Sequence, residues 1–230
     1  MRRFWKEARP VRRDDGWAVE LDGKPLRTPG KAALAVPTEV LADAIAREWA
    51  EAGETVEPRA MPMTGLANAA IERVAPDPDS FAAGLAQYGE SDLFCYRADV
   101  PPPLVERQAV EWDPLLAWAR RRFDVDFQVT AGIIHVPQAE ATVARLGHAV
   151  AALDPFRLAA LAPLVTIGGS LVAALAVLEQ AVPVDVAWAA VSLDERWQLE
   201  QWGSDTEAEA ALTGKRRDFL AAADFLALLA

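Results

Sequence analysis

The sequence has one cysteine, Cys95, and two histidines, His135 and His148, in 230 residues. A lone cysteine excludes an intramolecular disulfide, and a reducing compartment is the simplest setting. The histidines lie far apart, with no second His or Cys at ligand spacing, so no metal site is expected. Covalent catalysis through Cys95 would need a base, and no motif ties either histidine to it. A small buried thiol is the plainer reading. A phosphate loop is also missing. Gly168-Gly169 lies in an apolar run with no Lys-Ser or Lys-Thr after it, which points to close helix packing. Asp194-Glu195 and Glu207 to Glu209 read as solvated helix faces rather than acid/base pairs. Neither nucleotide hydrolysis nor a cofactor is expected, and no enzyme signature stands out.

Basic charge is also short. Lys and Arg number 23 against 34 Asp and Glu, giving a net charge of -11 and a pI near 4.7. Nucleic acid is therefore not an expected partner, because phosphate binding needs clustered cations. With 52 % hydrophobic and 25 % charged residues, the chain is ordinary for a folded globular protein. The N-terminus, Met1-Arg2-Arg3-Phe4-Trp5-Lys6, has no apolar core of a secretory signal, and a strand-like pattern follows at once. A bacterial cytoplasm is expected, with no removable leader. One run, Leu158 to Leu178, carries no charge and is long enough to span a bilayer. It contains Pro163, Gly168, Gly169 and Ser170, is followed by Glu179 and has no aromatic belt, so a buried central helix is expected instead of membrane insertion.

What is present divides the chain into a strand-rich beginning and a helical remainder. Trp17 to Leu21 alternates, Asp22-Gly23 supplies the two positive-φ positions of a type I′ turn, and Lys24 to Arg27 returns as the partner strand. Asp15-Gly16 is a second turn signal, so Phe4 to Val11 is expected to be a further strand, with a short one near Ala33 to Val36. Thr38 caps a helix with Leu41, Ala44, Ile45 and Trp49 on one stripe. Helices follow over Thr64 to Val74, Ser80 to Gln87, Ala139 to Leu153 and Val184 to Trp202. Gly203 closes the last of these, and Ser204 with Glu207 caps a terminal helix that turns Phe219, Leu220, Phe225 and Leu226 inward. The fold class is α+β: a β-rich domain with one helix over 1–57 and a helical domain over 58–230.

Ser91 to Trp118 joins the two parts. It holds Cys95, Tyr96, Trp112, Trp118 and the prolines Pro101, Pro102 and Pro103. Asp113-Pro114 is expected to reset the chain into a second helix, with one helix running through Pro114 as the alternative. Arg97 is expected to pair with an acid such as Asp92 or Glu106 and, with Trp112 and Asp113, to form a structural junction. Tryptophan is abundant, at eight residues. Core packing accounts for most of them, but Trp197 and Trp202 are five apart on one helix, so at least one is expected outside the core, where tryptophan anchors interfaces.

The ordered set Leu21-Asp22-Gly23-Lys24-Pro25-Leu26 with Thr28-Pro29, Val36-Pro37-Thr38, Glu48-Trp49, Met61-Pro62, Cys95-Tyr96-Arg97, Trp112-Asp113-Pro114 and Trp202-Gly203 resembles the assembly chaperones for the α subunit of F-type ATP synthase, which occur in mitochondria and some bacteria. The match runs over nearly the whole chain, although Glu51-Ala52-Gly53 stands where the family usually has a glutamine after Glu48-Trp49. The resemblance implies a non-enzymatic, ATP-independent chaperone that keeps the unassembled α subunit soluble, is monomeric when free, and works in the bacterial cytoplasm or the mitochondrial matrix. It also implies an acidic client-binding position in the penultimate helical region. Asp185, Asp194 and Glu195 are candidates, with spacing to Trp202 favouring Asp185, and Trp197 and Trp202 complete the candidate surface. A small-molecule site near Cys95-Tyr96-Arg97 is the alternative. If Leu158 to Leu178 is a buried segment, the purified protein will stay in the supernatant of a high-speed spin without detergent. Recovery only with detergent would reverse that reading.

Overall fold

The computed structural model describes residues 2–14, 16–132, 134–203 and 206–230. Ser204, the expected cap of the last helix, and Asp15 of the second turn lie outside them. The chain is α+β. It divides into one unit of residues 1–78, 154–160 and 224–230, and another of residues 79–153 and 161–223.

In the first unit, β1 (Ala8–Arg13) pairs antiparallel with all of β2 (Gly16–Leu21). The short β3 (Lys24–Pro25) and β4 (Ala35–Val36) both pair with β2. Asp22 and Gly23 have φ of 49° and 78°, the left-handed geometry of the expected hairpin turn. The Asp22 carboxylate also accepts from the Lys6 and Glu7 amides, and those hydrogen bonds hold its pKa below the usual carboxylate range. The first strand begins at Ala8 rather than Phe4 because Trp5 is used in packing: its ring lies 5.0 Å from Trp49, and its Nε1 donates to the Trp49 carbonyl. Helix α1 (Glu39–Glu51) starts at Thr38, whose Oγ1 accepts from the Leu41 amide, and buries Leu41, Ala42, Ile45 and Trp49. Glu48 on this helix accepts from the Met63 and Thr64 amides, so it caps α2 (Pro62–Ala69), which continues as a π-type turn over Ala70–Val74. Burial pushes the Glu48 pKa up despite these hydrogen bonds.

The second unit starts within α3 (Pro78–Ala86). Asp92 then begins a tight turn, Leu93–Cys95, and Tyr96–Arg97 forms β5, parallel to β6 (Thr130–Ala131). Helix α4 (Pro102–Phe123) runs straight through Pro114 in sequence, so Asp113-Pro114 does not divide it. Its buried stripe of Gln108, Trp112, Leu115, Leu116 and Ala119 continues on both sides of the proline, and this packing outweighs the missing amide. After α5 (Glu140–Ala151), the apolar run Leu158 to Leu178 is likewise not one helix. It splits into α6 (Pro155–Gly168) and α7 (Leu171–Leu178) at Gly169, where φ is +66°. A Cβ on Gly168 would come within 3.1 Å of Val191, so close packing explains the diglycine. The expected helix over 184–202 is also two, α8 (Val184–Val191) and α9 (Leu193–Trp202), and α10 (Thr206–Ala227) closes the chain. Among the described residues, no helix is long and apolar enough to cross a membrane.

The α6–α7 break is held by Asp92, which is 0 % exposed. Its carboxylate accepts from the Phe94 amide at 3.0 Å, the Val172 amide at 2.9 Å and the Ser170 hydroxyl at 2.9 Å. Ser170 Oγ in turn accepts from the Ala173 amide at 3.0 Å. Asp92 therefore caps both the turn that follows it and, with Ser170, the first turn of α7. Burial outweighs these bonds and pushes its pKa up to about 6 from 3.8. The native state then binds this proton more tightly than the unfolded chain. The resulting stabilisation is present below pH 3.8 and is lost as pH rises through about 6. Asp92→Ala leaves two amides and a hydroxyl unpaired in the interior and should cost about 3 kcal/mol or more in urea unfolding. For Asp92→Asn, the stability deficit relative to wild type should shrink between pH 4 and pH 7. A deficit constant across that range would contradict the assigned shift.

Candidate functional site

The acidic and aromatic candidates gather on and around α9. This helix buries only Leu193, and its remaining side chains are half-buried or exposed. A helix that contributes so little to a core must serve another purpose or be held by polar contacts. Here polar contacts hold it. Asp194 Oδ1 accepts from Gln108 Nε2 at 2.8 Å, while Gln108 Oε1 accepts from the Ala98 amide at 2.8 Å. Gln108 is 2 % exposed, so both ends of a buried amide are used, one to fix the chain before α4 and the other to aim a carboxylate. Partial burial pushes the Asp194 pKa up, with the Gln108 hydrogen bond opposing and Glu195 reinforcing the shift.

Further along, Arg107 makes two contacts with Glu200, at 2.5 and 3.2 Å, and lies 5.6 Å from the centre of the Trp197 ring. Arg196 reaches Glu111 at 3.3 Å and donates to the Ala189 carbonyl at 2.7 Å. A deeper bond ties α4 to the neighbouring α8: Trp112 Nε1 donates to the Ala190 carbonyl at 2.8 Å.

Trp202 ends α9 and is 81 % exposed, whereas Trp5, Trp49, Trp112 and Trp188 are all below 9 %. Gly203, with φ of 85°, terminates the helix, and the chain returns as α10. Between α9 and the start of α10 lies a groove of about 340 Å³, lined on its apolar side by Leu199, Trp202, Ala208, Ala211 and Leu212, with Glu195 and Lys215 paired at 3.1 Å beside it. An indole left in water next to an apolar groove is unsatisfied surface of the kind that anchors interfaces. Asp185 is on α8, not α9, and pairs with Arg216 at 2.8 Å. The structure thus groups Asp194, Glu195, Trp197 and Trp202 on one helix, and sets Asp185 on its neighbour.

The junction residues cluster elsewhere. Arg97 pairs with Asp113 at 2.7 Å, donates to the Phe94 carbonyl and lies 5.1 Å from the Trp112 ring. Its partner is neither Asp92, consumed by Ser170, nor Glu106. All these groups belong to the second unit. Around Cys95 there is no reactive arrangement. The thiol is 1 % exposed, and burial, reinforced by the Asp92 charge, pushes its pKa up to about 12. Tyr96 Oη instead meets His135 Nδ1 at 2.7 Å. Among the described residues, no group of His, Cys, Asp and Glu could hold a metal ion. Sequence reasoning missed Gln108 as the group that aims Asp194, because a glutamine within a helix carries no signal of its partner 86 residues away.

The sequence profile of a family described as ATP12 chaperone protein matches residues 2–120. The mitochondrial protein atp12 of Schizosaccharomyces pombe is 26 % identical over 219 residues, covering 90 % of this chain and 75 % of its own length. The crystal structure of Atp12 from Paracoccus denitrificans is similar at a TM-score of 0.94 and 46 % identity, covering 99 % of this chain and 97 % of that one. A crystal structure of an Agrobacterium tumefaciens protein reaches 0.95 at 36 % identity, covering all of this chain and 86 % of its own. Replacing Gln108 with leucine removes the bond that lowers the Asp194 pKa and should raise it further, read as a shifted carboxyl resonance in a pH titration. An unchanged titration would show that Gln108 does not set the state of this carboxylate.

Proposed function

The chain belongs to the ATP12 chaperone family, and from that premise we propose that it binds the unassembled α subunit of F-type ATP synthase, keeps it soluble and supports assembly of the catalytic head. The client surface is the exposed side of α9 with the groove beside it. Exposure of Trp202 at 81 % carries this assignment, since it is the most exposed tryptophan among the described residues and Trp5, Trp49, Trp112 and Trp188 are buried.

The physics of the task is modest. A ring subunit without its neighbours exposes apolar surface that drives aggregation. A protein that covers this surface lowers the free client concentration by mass action and needs no nucleotide. Trp202 and the Leu199–Leu212 groove supply apolar contact, while Asp194, aimed by Gln108, supplies a directional carboxylate at the other end of the helix. Glu195 and Trp197 lie between and complete the surface, with Asp185 beside it on α8. The same diglycine that lacks a phosphate-binding lysine is used to end α6, which supports an ATP-independent action. We assign the activity to the cytoplasm, to a free monomer, and to a protein that is not an enzyme.

Trp202→Ala should leave the circular dichroism spectrum and melting temperature unchanged while weakening α-subunit binding about tenfold or more, as expected for an interface tryptophan. Suppression of α-subunit aggregation, followed by light scattering, should fall in parallel. Full protection by the variant would remove α9 from the client surface. Absence of any complex with wild-type protein on a sizing column would remove the α subunit as client.

A further inference from the structure

The N-terminal sheet carries a second uncovered surface, which the reading above does not use. Strand register sets Arg9 opposite Glu20, Val11 opposite Ala18, and Ala18 opposite Ala35, so alternation puts these side chains on one face. The other face of β2 holds Val19 and Leu21, which are 0 and 4 % exposed. On the first face, an open hollow of about 560 Å³ is lined by Arg13, Asp14, Ala18, Arg27, Ala33 and Ala35, among others. Its floor is made of small apolar groups, and its rim carries two guanidiniums and one carboxylate, Asp14.

Around the hollow the cations Arg9, Arg13 and Arg27 outnumber the acids Asp14 and Glu20. Glu20, whose side chain is 9 % exposed, accepts from both Arg9 and Arg13, which remain 56 and 46 % exposed. One carboxylate cannot neutralise two guanidiniums. Arg27 donates to the Lys31 carbonyl at 2.9 Å, a neutral acceptor. In sequence, residues 2–15 bring six cations, Arg2, Arg3, Lys6, Arg9, Arg12 and Arg13, against three acids, Glu7, Asp14 and Asp15, in a chain of net charge -11.

Strand addition is not the mode of use. Val19 pairs with Pro10, and the Val19 carbonyl accepts from the Leu26 amide on the far side of β2. At this pair the backbones therefore turn away from each other, and the donor that Pro10 lacks falls on the outer edge of β1. An added strand would miss a central hydrogen bond. The face, not the edge, is available.

We propose that this face docks an acidic segment of a partner protein that also carries an apolar side chain. Carboxylates would occupy the Arg13 and Arg27 guanidinium forks, and the apolar side chain the Ala18–Ala35 floor. A hollow this open suits a protein segment better than a small molecule, which sites usually enclose over about 70–90 % of its surface. The proposal rests on the N-terminal sheet alone, so its failure and that of the α9 surface are independent.

The test uses the full chain and a fluorescein-labelled peptide, Gly-Glu-Leu-Glu-Glu-Leu-Glu-Gly, with a control in which glycine replaces both leucines. The expected result is saturable binding by fluorescence anisotropy that weakens as salt rises from about 20 to about 200 mM. The leucine-free control should bind roughly threefold or more weakly. Arg27→Gln and Ala33→Glu, both at exposed positions with no buried partner, should each reduce affinity by a similar factor while the circular dichroism spectrum is retained. No saturable binding, equal binding of both peptides, or indifference to both substitutions would overturn the proposal. So would preferential binding to phosphatidylcholine/phosphatidylserine vesicles, which would make the face a membrane contact.

Discussion

Asp92 places an ionisable group in the interior, with 0 % exposure, and much of the helical unit is arranged to satisfy it. Such a group is costly unless several donors converge on it. Here Ser170 and Val172 come from the start of α7 and Phe94 from the turn after Asp92, so one carboxylate joins two parts of the chain 78 to 80 residues apart. The Leu93 amide adds a bond to the Gly169 carbonyl at 3.0 Å. These contacts turn an apolar run that could have been one continuous helix into two. They also fix the entry to β5 and, through Arg97 and Trp112, the base on which α4 lies.

The α9 surface depends on α4 in the same way. A helix that buries one residue cannot be held by apolar area, so it is held by directed bonds with Gln108, Arg107 and Glu111, all on α4. Polar anchoring leaves apolar side chains such as Leu199 and Trp202 free for another molecule. The proposed client surface needs this combination: a fixed backbone with apolar groups that its own fold does not consume.

Much of the framework was legible in the chain itself. Asp22-Gly23 forms its turn because only positive-φ geometry closes that hairpin, and Thr38 caps α1 because its hydroxyl satisfies an otherwise orphaned amide. Trp197 and Trp202 diverge as five-residue spacing on a helix requires, and Trp202 is the one left in water. Helix ends were less legible. Pro114 and Gly168-Gly169 are both breakers by local rule, yet α4 continues through its proline while the diglycine interrupts the apolar run. The stripe buried by α4 rewards continuity, whereas Asp92 and Ser170 reward the break.

The sequence by itself determined the α+β class, the hairpin, the start of α1 and the family, since these rest on backbone preferences and on residues close together along the chain. Only the tertiary structure decided which acid met which partner. Arg97 took Asp113 because Asp92 was drawn to Ser170, and Asp194 was aimed by Gln108 from 86 residues away. Such pairings cannot be read from spacing, because a polar side chain carries no mark of the neighbour that folding will bring within hydrogen-bond distance.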